Sequence, residues 1–367
     1  MKIVKLYDTN HASIIKLAKK TLQSGGMVIF PTETTYGLGV DATNQKSVDK
    51  LLAYKSRREG KPLSVAVANT SIAKKYVSLN KQAEKLYKEL LPGPFTIISN
   101  GLDKVARGVQ SEFGTLGIRI PDYPFMLSLL SEFKKGITAT SANASGKRRP
   151  YTIKQIFSNL SDKQKKLIDL VIDAGELPKN NPSTIIDTTL STPLIMRSGK
   201  YEYMGNKDDK RTQLTIYSKS ETETKNIAKR FLLKYWSTIK KEPLVIGLNG
   251  ELGAGKTIFA KGIAEYLQIK KIITSPTYSY INEYPYNFHQ SKGVLYHLDI
   301  WKVDNQENFD LLKFDSLMRT PNIIVIEWWN QIQKYLDNEI IKKALIFNIE
   351  VEEKNSRKIL INEPKNW

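Results

Sequence analysis

Leu244-Val245-Ile246-Gly247-Leu248-Asn249-Gly250-Glu251-Leu252-Gly253-Ala254-Gly255-Lys256-Thr257 passes from an apolar strand pattern into Gly-x-x-x-x-Gly-Lys-Thr, a phosphate-binding loop in its strand-loop-helix setting. Gly250 and Gly255 let the backbone N–H groups of the loop, including those of Glu251, Leu252, Gly253 and Ala254, curl round an anionic phosphate chain. Lys256 is placed to reach the terminal phosphates, and Thr257 offers a hydroxyl to magnesium. The following segment, Ile258 to about Leu267, predicts a helix with Phe259, Ile263, Tyr266 and Leu267 on one face and its positive end toward the phosphates. The chain therefore carries a site for a nucleoside triphosphate.

Downstream, two more apolar runs end in acids. Gly293 to Leu298 delivers Asp299, and Asn322 to Ile326 delivers Glu327, followed by Trp328. In a parallel α/β sheet the ligand crevice lies beyond the carboxyl ends of the strands, so both acids are expected beside the phosphate loop. There Asp299 can hold magnesium and Glu327 can orient or deprotonate water, although either acid at a strand end can also simply cap the next loop. Ser275-Pro276-Thr277-Tyr278 lies where a segment sensing the terminal phosphate is expected, and a proline turn reads the same way. Upstream, Ser220 and Glu223 have capping-box spacing ahead of Ile227, Phe231 and Leu232, predicting a helix that leads into the loop strand. The polar stretch from Arg197 to Thr212 marks a boundary. The expected organisation is one α/β domain over 1–205, a linker over 206–218 and a second α/β domain over 219–367.

The length of 367 residues fits two cores. With no cysteine, disulfides and thiolate metal sites are excluded, and three histidines leave little for zinc, so any metal is expected to be a hard cation held by oxygens. No apolar run of membrane length and no signal-peptide pattern is seen, from which a cytoplasmic protein without a membrane partner is expected. The net charge of +19 is uneven: 31 basic against 17 acidic side chains up to Gly205 (+14), and 25 against 20 beyond it (+5). Such an excess favours phosphate-bearing partners, RNA included, and lysine-rich codon usage gives the same count.

The first half holds several weaker signals. Met27-Val28-Ile29-Phe30 runs into Pro31-Thr32-Glu33-Thr34-Thr35-Tyr36-Gly37-Leu38-Gly39, a hydroxyl-rich turn suited to close backbone approach. Lys55, Arg57 and Lys61 concentrate cations at the end of an expected helix, as a solvated helix end also does. In Thr115-Leu116-Gly117-Ile118-Arg119-Ile120 the alternation sends Arg119 to the face opposite Leu116, Ile118 and Ile120, where a sheet floor can present it to an anion. Thr138 to Gly146, with Ser141 and Asn143, is rich in small donors, and Ser183 and Arg197 stand at strand edges. Each alone reads equally as a turn or an exposed strand face.

Gly-Glu-Leu-Gly-Ala-Gly-Lys-Thr, Ser-Pro-Thr-Tyr, His297-Leu298-Asp299 and Glu327-Trp328, in that order over roughly 213–350, resemble the bacterial TsaE ATPases that assist threonylcarbamoyladenosine formation in tRNA. By that resemblance Lys256 and Thr257 bind nucleotide and magnesium, Thr277 and Asp299 complete the magnesium site, and Glu327 supports hydrolysis. The chain departs from the family at Trp301 and Lys302, where tyrosine and arginine are usual, and at Phe309 to Leu312, where paired acids are usual. The blocks of the first half together resemble the TsaC family, threonylcarbamoyl-AMP synthases of the YrdC fold, over about 10–200. That family joins L-threonine, bicarbonate and ATP and releases pyrophosphate. The resemblance puts Thr34, Arg119 and Ser183 at threonine. It puts Lys55, Arg57, Lys61, Thr115, Ser141, Asn143, Arg149 and Arg197 around nucleotide and bicarbonate, with Lys55, Arg57, Ser141 and Asn143 in the chemistry. Arg58 stands where the family commonly has proline.

Both resemblances point to one pathway. They imply a synthase fused to an ATPase, a twisted mixed sheet ahead of a phosphate-loop sheet, ATP and Mg2+ as ligands, and TsaD-like and TsaB-like proteins and tRNA as partners. The rival reading is an RNA-binding YrdC-like module fused to a small-molecule kinase.

Overall fold

The computed structural model describes residues 1–55, 62–144, 147–199, 212–276, 280–353 and 355–364. They fall into two compact units, Met1–Thr189 with Pro193–Tyr203, and Leu190–Thr192 with Met204–Trp367. Both are mixed α/β.

The first unit contains strands β1 (Lys2–Lys5), β2 (Val28–Phe30), β3 (Gly37–Gly39), β4 (Ser64–Ala66), β5 (Val77–Ser78), β6 (Phe95–Gly101), β7 (Thr115–Arg119), β8 (Ile137–Ser141), β9 (Leu170–Asp173), β10 (Thr184–Asp187) and β11 (Leu194–Arg197). They form one mixed sheet in the order β1-β9-β2-β3-β8-β4-β7-β6-β10-β11, with β5 paired to β6. Alternation sorts its residues to two faces. Ile29, Leu38, Val65, Leu116 and Ile118 enter one core, while Val28, Phe30, Ala66 and Ile137 enter another beneath helices His11–Gln23 and Pro124–Phe133. Further along that second face the residues are small or polar: Ser64, Gly117, Thr115, Thr96 and Ser141.

The second unit contains β12 (Thr212–Ser218), β13 (Leu244–Asn249), β14 (Ile281–Phe288), β15 (Ser291–Asp299), β16 (Ile323–Glu327), β17 (Leu345–Glu353) and β18 (Ser356–Glu363), ordered β12-β18-β17-β13-β16-β15-β14. The four central strands β17, β13, β16 and β15 are parallel. Buried on both faces, β13 and β16 read as continuous apolar runs. Helix Glu221–Ile239 starts at Ser220, whose side chain accepts from the Glu223 N–H, and it buries Ile227, Phe231 and Leu232. The helix after the glycine-rich loop spans Lys256–Tyr266, beginning two residues earlier than its apolar face implied, because Gly255 already serves as its N-cap.

The expected linker over 206–218 requires correction. Thr212–Ser218 is a strand, paired antiparallel with β18 from Thr212 opposite Glu363 to Ser218 opposite Arg357. Its alternating Leu214 and Ile216 and its β-branched threonines suit an edge strand, a pattern masked by the polar segment before it.

Candidate active sites

The first site lies on the small, polar part of the first sheet. Ala139, Ser64 and Gly117 form one transverse row across β8, β4 and β7. A Cβ at Gly117 would come within 2.9 Å of the Thr96 methyl, so glycine keeps this floor low. Two residues to one side, the register carries Arg119, beside Ala66, and then Ile185 flanked by Thr96 and Arg197. Two residues to the other side it carries Ser141 and Thr115. The floor thus has a guanidinium end and a hydroxyl end, about 13 Å apart along the strands.

At the guanidinium end Arg119 pairs with Glu33, both largely buried, through Nη2 and Oε1; Arg119 Nε and Glu33 Oε2 are buried without partners among the described residues. Arg197 donates from Nε and Nη2 to the Ser183 carbonyl at 3.1 and 2.9 Å, and from Nη2 to Ser183 Oγ at 2.9 Å. Although the Arg197 side chain meets solvent over a good part of its surface, the protein packed around its guanidinium, and then the neighbouring charges of Arg149 and Arg119, lower its affinity for its proton. Three guanidinium groups from separate segments therefore share one neighbourhood, which calls for an anion. Arg149 donates to the Asn180 carbonyl at 3.4 Å, and Asn180 Nδ2 donates to the Glu33 carbonyl at 2.8 Å. Thr34 sits buried in this turn with Thr34 Oγ1 3.1 Å from Thr32 Oγ1, while Thr35 Oγ1 donates to the Pro150 carbonyl at 2.5 Å.

At the hydroxyl end, Lys55 closes helix Gln45–Lys55 and donates to the carbonyls of Ser141 and Asn143 at 2.5 and 2.9 Å. Burial pushes its ammonium down to about 8. Asn143 donates to the Lys147 carbonyl at 2.5 Å and leaves Oδ1 buried without a partner among the described residues. Thr115 Oγ1 lies 2.7 Å from Ser111 Oγ. Arg57 and Lys61, expected at this end, lie outside the described residues.

In the second unit the loop from Gly250 to Gly255 is left-handed at each of its three glycines, with φ of 148°, 78° and 108° at Gly250, Gly253 and Gly255. Lys256 is buried and donates to the carbonyls of Gly250 and Glu251, both at 2.9 Å, with its Nζ 3.9 Å from the Trp328 ring centre. Burial lowers the affinity of this ammonium for its proton, opposed by Glu327 and Asp299. Thr257 Oγ1 donates to Glu327 Oε1 at 2.8 Å and lies 3.0 Å from Ser275 Oγ. Asp299 has its carboxyl raised above the usual range by burial and then by Glu327, and its Oδ1 is buried without a partner among the described residues. These donors are all oxygens, fitting a hard cation. Among the described residues no cluster of three or more His, Cys, Asp or Glu forms a cage, so phosphate oxygens and water would complete the shell. Thr277 lies outside the described residues.

A family model for Sua5, YciO and YrdC, described as "Telomere recombination", matches residues 20–199. A putative threonylcarbamoyl-AMP synthase of Methanocaldococcus jannaschii is 36% identical over 203 residues, covering 54% of this chain and 93% of that relative. The chain belongs to the Sua5/YciO/YrdC family. Behind that domain it carries a TsaE domain: the model described as "Threonylcarbamoyl adenosine biosynthesis protein TsaE" matches residues 218–359. The threonylcarbamoyl-AMP synthase of Bacillus subtilis is 32% identical to the Sua5/YciO/YrdC portion over 194 residues, 52% of this chain and 55% of that protein. In fold, the crystal structure of Pyrococcus abyssi Sua5 complexed with L-threonine aligns with a TM-score of 0.52 at 20% identity, covering 89% of this chain and 92% of that one.

Four groups at these sites had no role in the sequence reading. Glu33 occupies Arg119, Asn180 ties the threonine-rich turn to Arg149, His297 lies against Glu327, and Arg357 donates to the Ala254 carbonyl of the phosphate loop at 2.7 Å. Glu33 and His297 stand inside quoted motifs, and that position was their only signal. Asn180 and Arg357 are brought in by pairings that no local pattern announces.

Proposed function

We propose that the Sua5/YciO/YrdC domain makes L-threonylcarbamoyl-AMP from L-threonine, bicarbonate and ATP. The observation that carries this reading is the floor with three guanidinium groups at one end and Lys55 with Ser141 and Asn143 at the other. Arg119, relieved of Glu33, takes the carboxylate of threonine, with Thr34 and Ser183 beside it. The amine of threonine, as carbamate after loss of water from bicarbonate, attacks the α-phosphorus of ATP through an oxygen. The bond from that phosphorus to the bridging oxygen breaks, and pyrophosphate leaves. Nucleophile and electrophile are both anionic, so the positive charges of Lys55, Arg57 and Lys61, with those of Arg149 and Arg197, offset their repulsion. Thr115, Ser141 and Asn143 orient the nucleotide.

The TsaE domain, in the same reading, hydrolyses ATP. Residues Gly250 to Gly255 wrap the phosphates, Lys256 leaves its loop carbonyls for the terminal phosphate, and Glu327 orients water. Thr257, Asp299 and Thr277 would hold Mg2+, which when bound neutralises phosphate charge. Transfer of the threonylcarbamoyl group to the adenosine 3′ of a tRNA anticodon then needs TsaD-like and TsaB-like partners, in the cytoplasm. The test is pyrophosphate release by the full chain. It should require threonine and bicarbonate together, and release that ignores either one would contradict the reading.

A further inference from the structure

Glu327 is held through a single oxygen. Thr257 Oγ1 donates to Oε1 at 2.8 Å, and His297 Nε2 lies 2.8 Å from the same Oε1. No donor among the described residues is found on Oε2, the oxygen left for water. His297 is fully buried on β15, in register with Val325 of β16, while Asp299 is in register with Glu327, so histidine and glutamate occupy diagonal positions on one sheet face. The imidazole Nδ1 is buried without a partner among the described residues. A proton on Nδ1 would leave a buried N–H unpaired and turn a lone pair toward the carboxylate; a proton on Nε2 leaves only an acceptor unmatched, the lesser cost.

From this geometry we propose that His297 is a positioning residue for Glu327. It donates Nε2–H to Oε1, fixes the carboxylate plane together with Thr257, and presents Oε2 to the attacking water. The inference rests on the ATP-hydrolysing reading of the second unit. A buried histidine with a purely structural role would be indifferent to which atom of a replacement carries the N–H. A positioning residue is not.

In the full chain, His297→Gln puts an amide N–H where Nε2 stands, whereas His297→Asn puts it where Nδ1 stands, short of Glu327. His297→Asn should lose roughly 10–100-fold in kcat for ATP hydrolysis, with nucleotide affinity kept within about twofold. His297→Gln should retain most of the turnover, and His297→Asn should cost nothing further in a Glu327→Gln background. Equal losses in the Gln and Asn variants, a loss of affinity in place of turnover, or an additive loss on top of Glu327→Gln would overturn the assignment. Wild-type chain that binds ATP but turns it over no faster than Lys256→Ala would instead remove the hydrolytic reading, and the role of His297 with it.

Discussion

Under the proposed function the two sites meet the same problem, holding triphosphate, with opposite means. The TsaE domain uses backbone: one continuous loop, left-handed at its three glycines and running into a helix N-terminus. The Sua5/YciO/YrdC domain uses side chains from separate segments: Arg119, Ser141 and Arg197 stand on the strands of the sheet, Lys55 at a helix end, and Arg149 and Ser183 in the connections. A backbone site tolerates side-chain change and fails when its dihedrals are violated; a side-chain site tolerates local backbone variation and fails when a charge is lost.

The largest expected effects separate the two. Lys256→Ala should lower ATP hydrolysis by roughly 10²–10³-fold while leaving threonine-dependent pyrophosphate release intact, and Lys55→Ala or Arg57→Ala should do the reverse. Parallel assays of phosphate and pyrophosphate check this, and one substitution that stops both reactions would break the two-site account. Next come the glycines. A Cβ at Gly250 would lie 2.4 Å from the Ile349 carbonyl oxygen, whereas at Gly253 it would meet nothing within 4 Å. Gly250→Ala should therefore abolish nucleotide binding at the loop, and Gly253→Ala should cost only its left-handed backbone, about 1–2 kcal/mol. Titration with a fluorescent nucleotide would rank them.

The pH dependence is gentler. Lys55 loses its proton near pH 8 in the folded chain and near its ordinary 10.5 in the unfolded one. Between those values the unfolded chain binds more protons, so stability rises with pH while the charge offered to phosphate disappears. The kcat/KM of the synthase reaction for ATP should fall as pH rises through about 8, a trend that a pH profile of pyrophosphate release would reveal. The smallest effect belongs to Glu33. If, as proposed, Arg119 takes threonine's carboxylate in exchange for Glu33, Glu33→Gln should lower the threonine KM by about two- to fivefold; an increase would mean that the pair supports Arg119.

The same contrast explains what the amino-acid order made legible. The phosphate loop, the strands ending in Asp299 and Glu327 and the Ser220 cap are local patterns, and each corresponds to a continuous element. The direction of Arg119 followed from period-two alternation within β7. Glu33 against Arg119, 86 residues apart, has no such period to betray it. β12 carries a short alternation at Leu214 and Ile216, but the polar segment before it masks that pattern and its partner β18 lies more than a hundred residues away.

The most direct test of the account gives the Lys256→Ala chain labelled threonine, bicarbonate, ATP and magnesium, then looks for threonylcarbamoyl-AMP formed one-for-one with pyrophosphate. Product at the wild-type rate is the predicted result. Its absence from this variant, when the wild-type chain makes it, would contradict two independent sites; its absence from both would contradict the synthase reading itself.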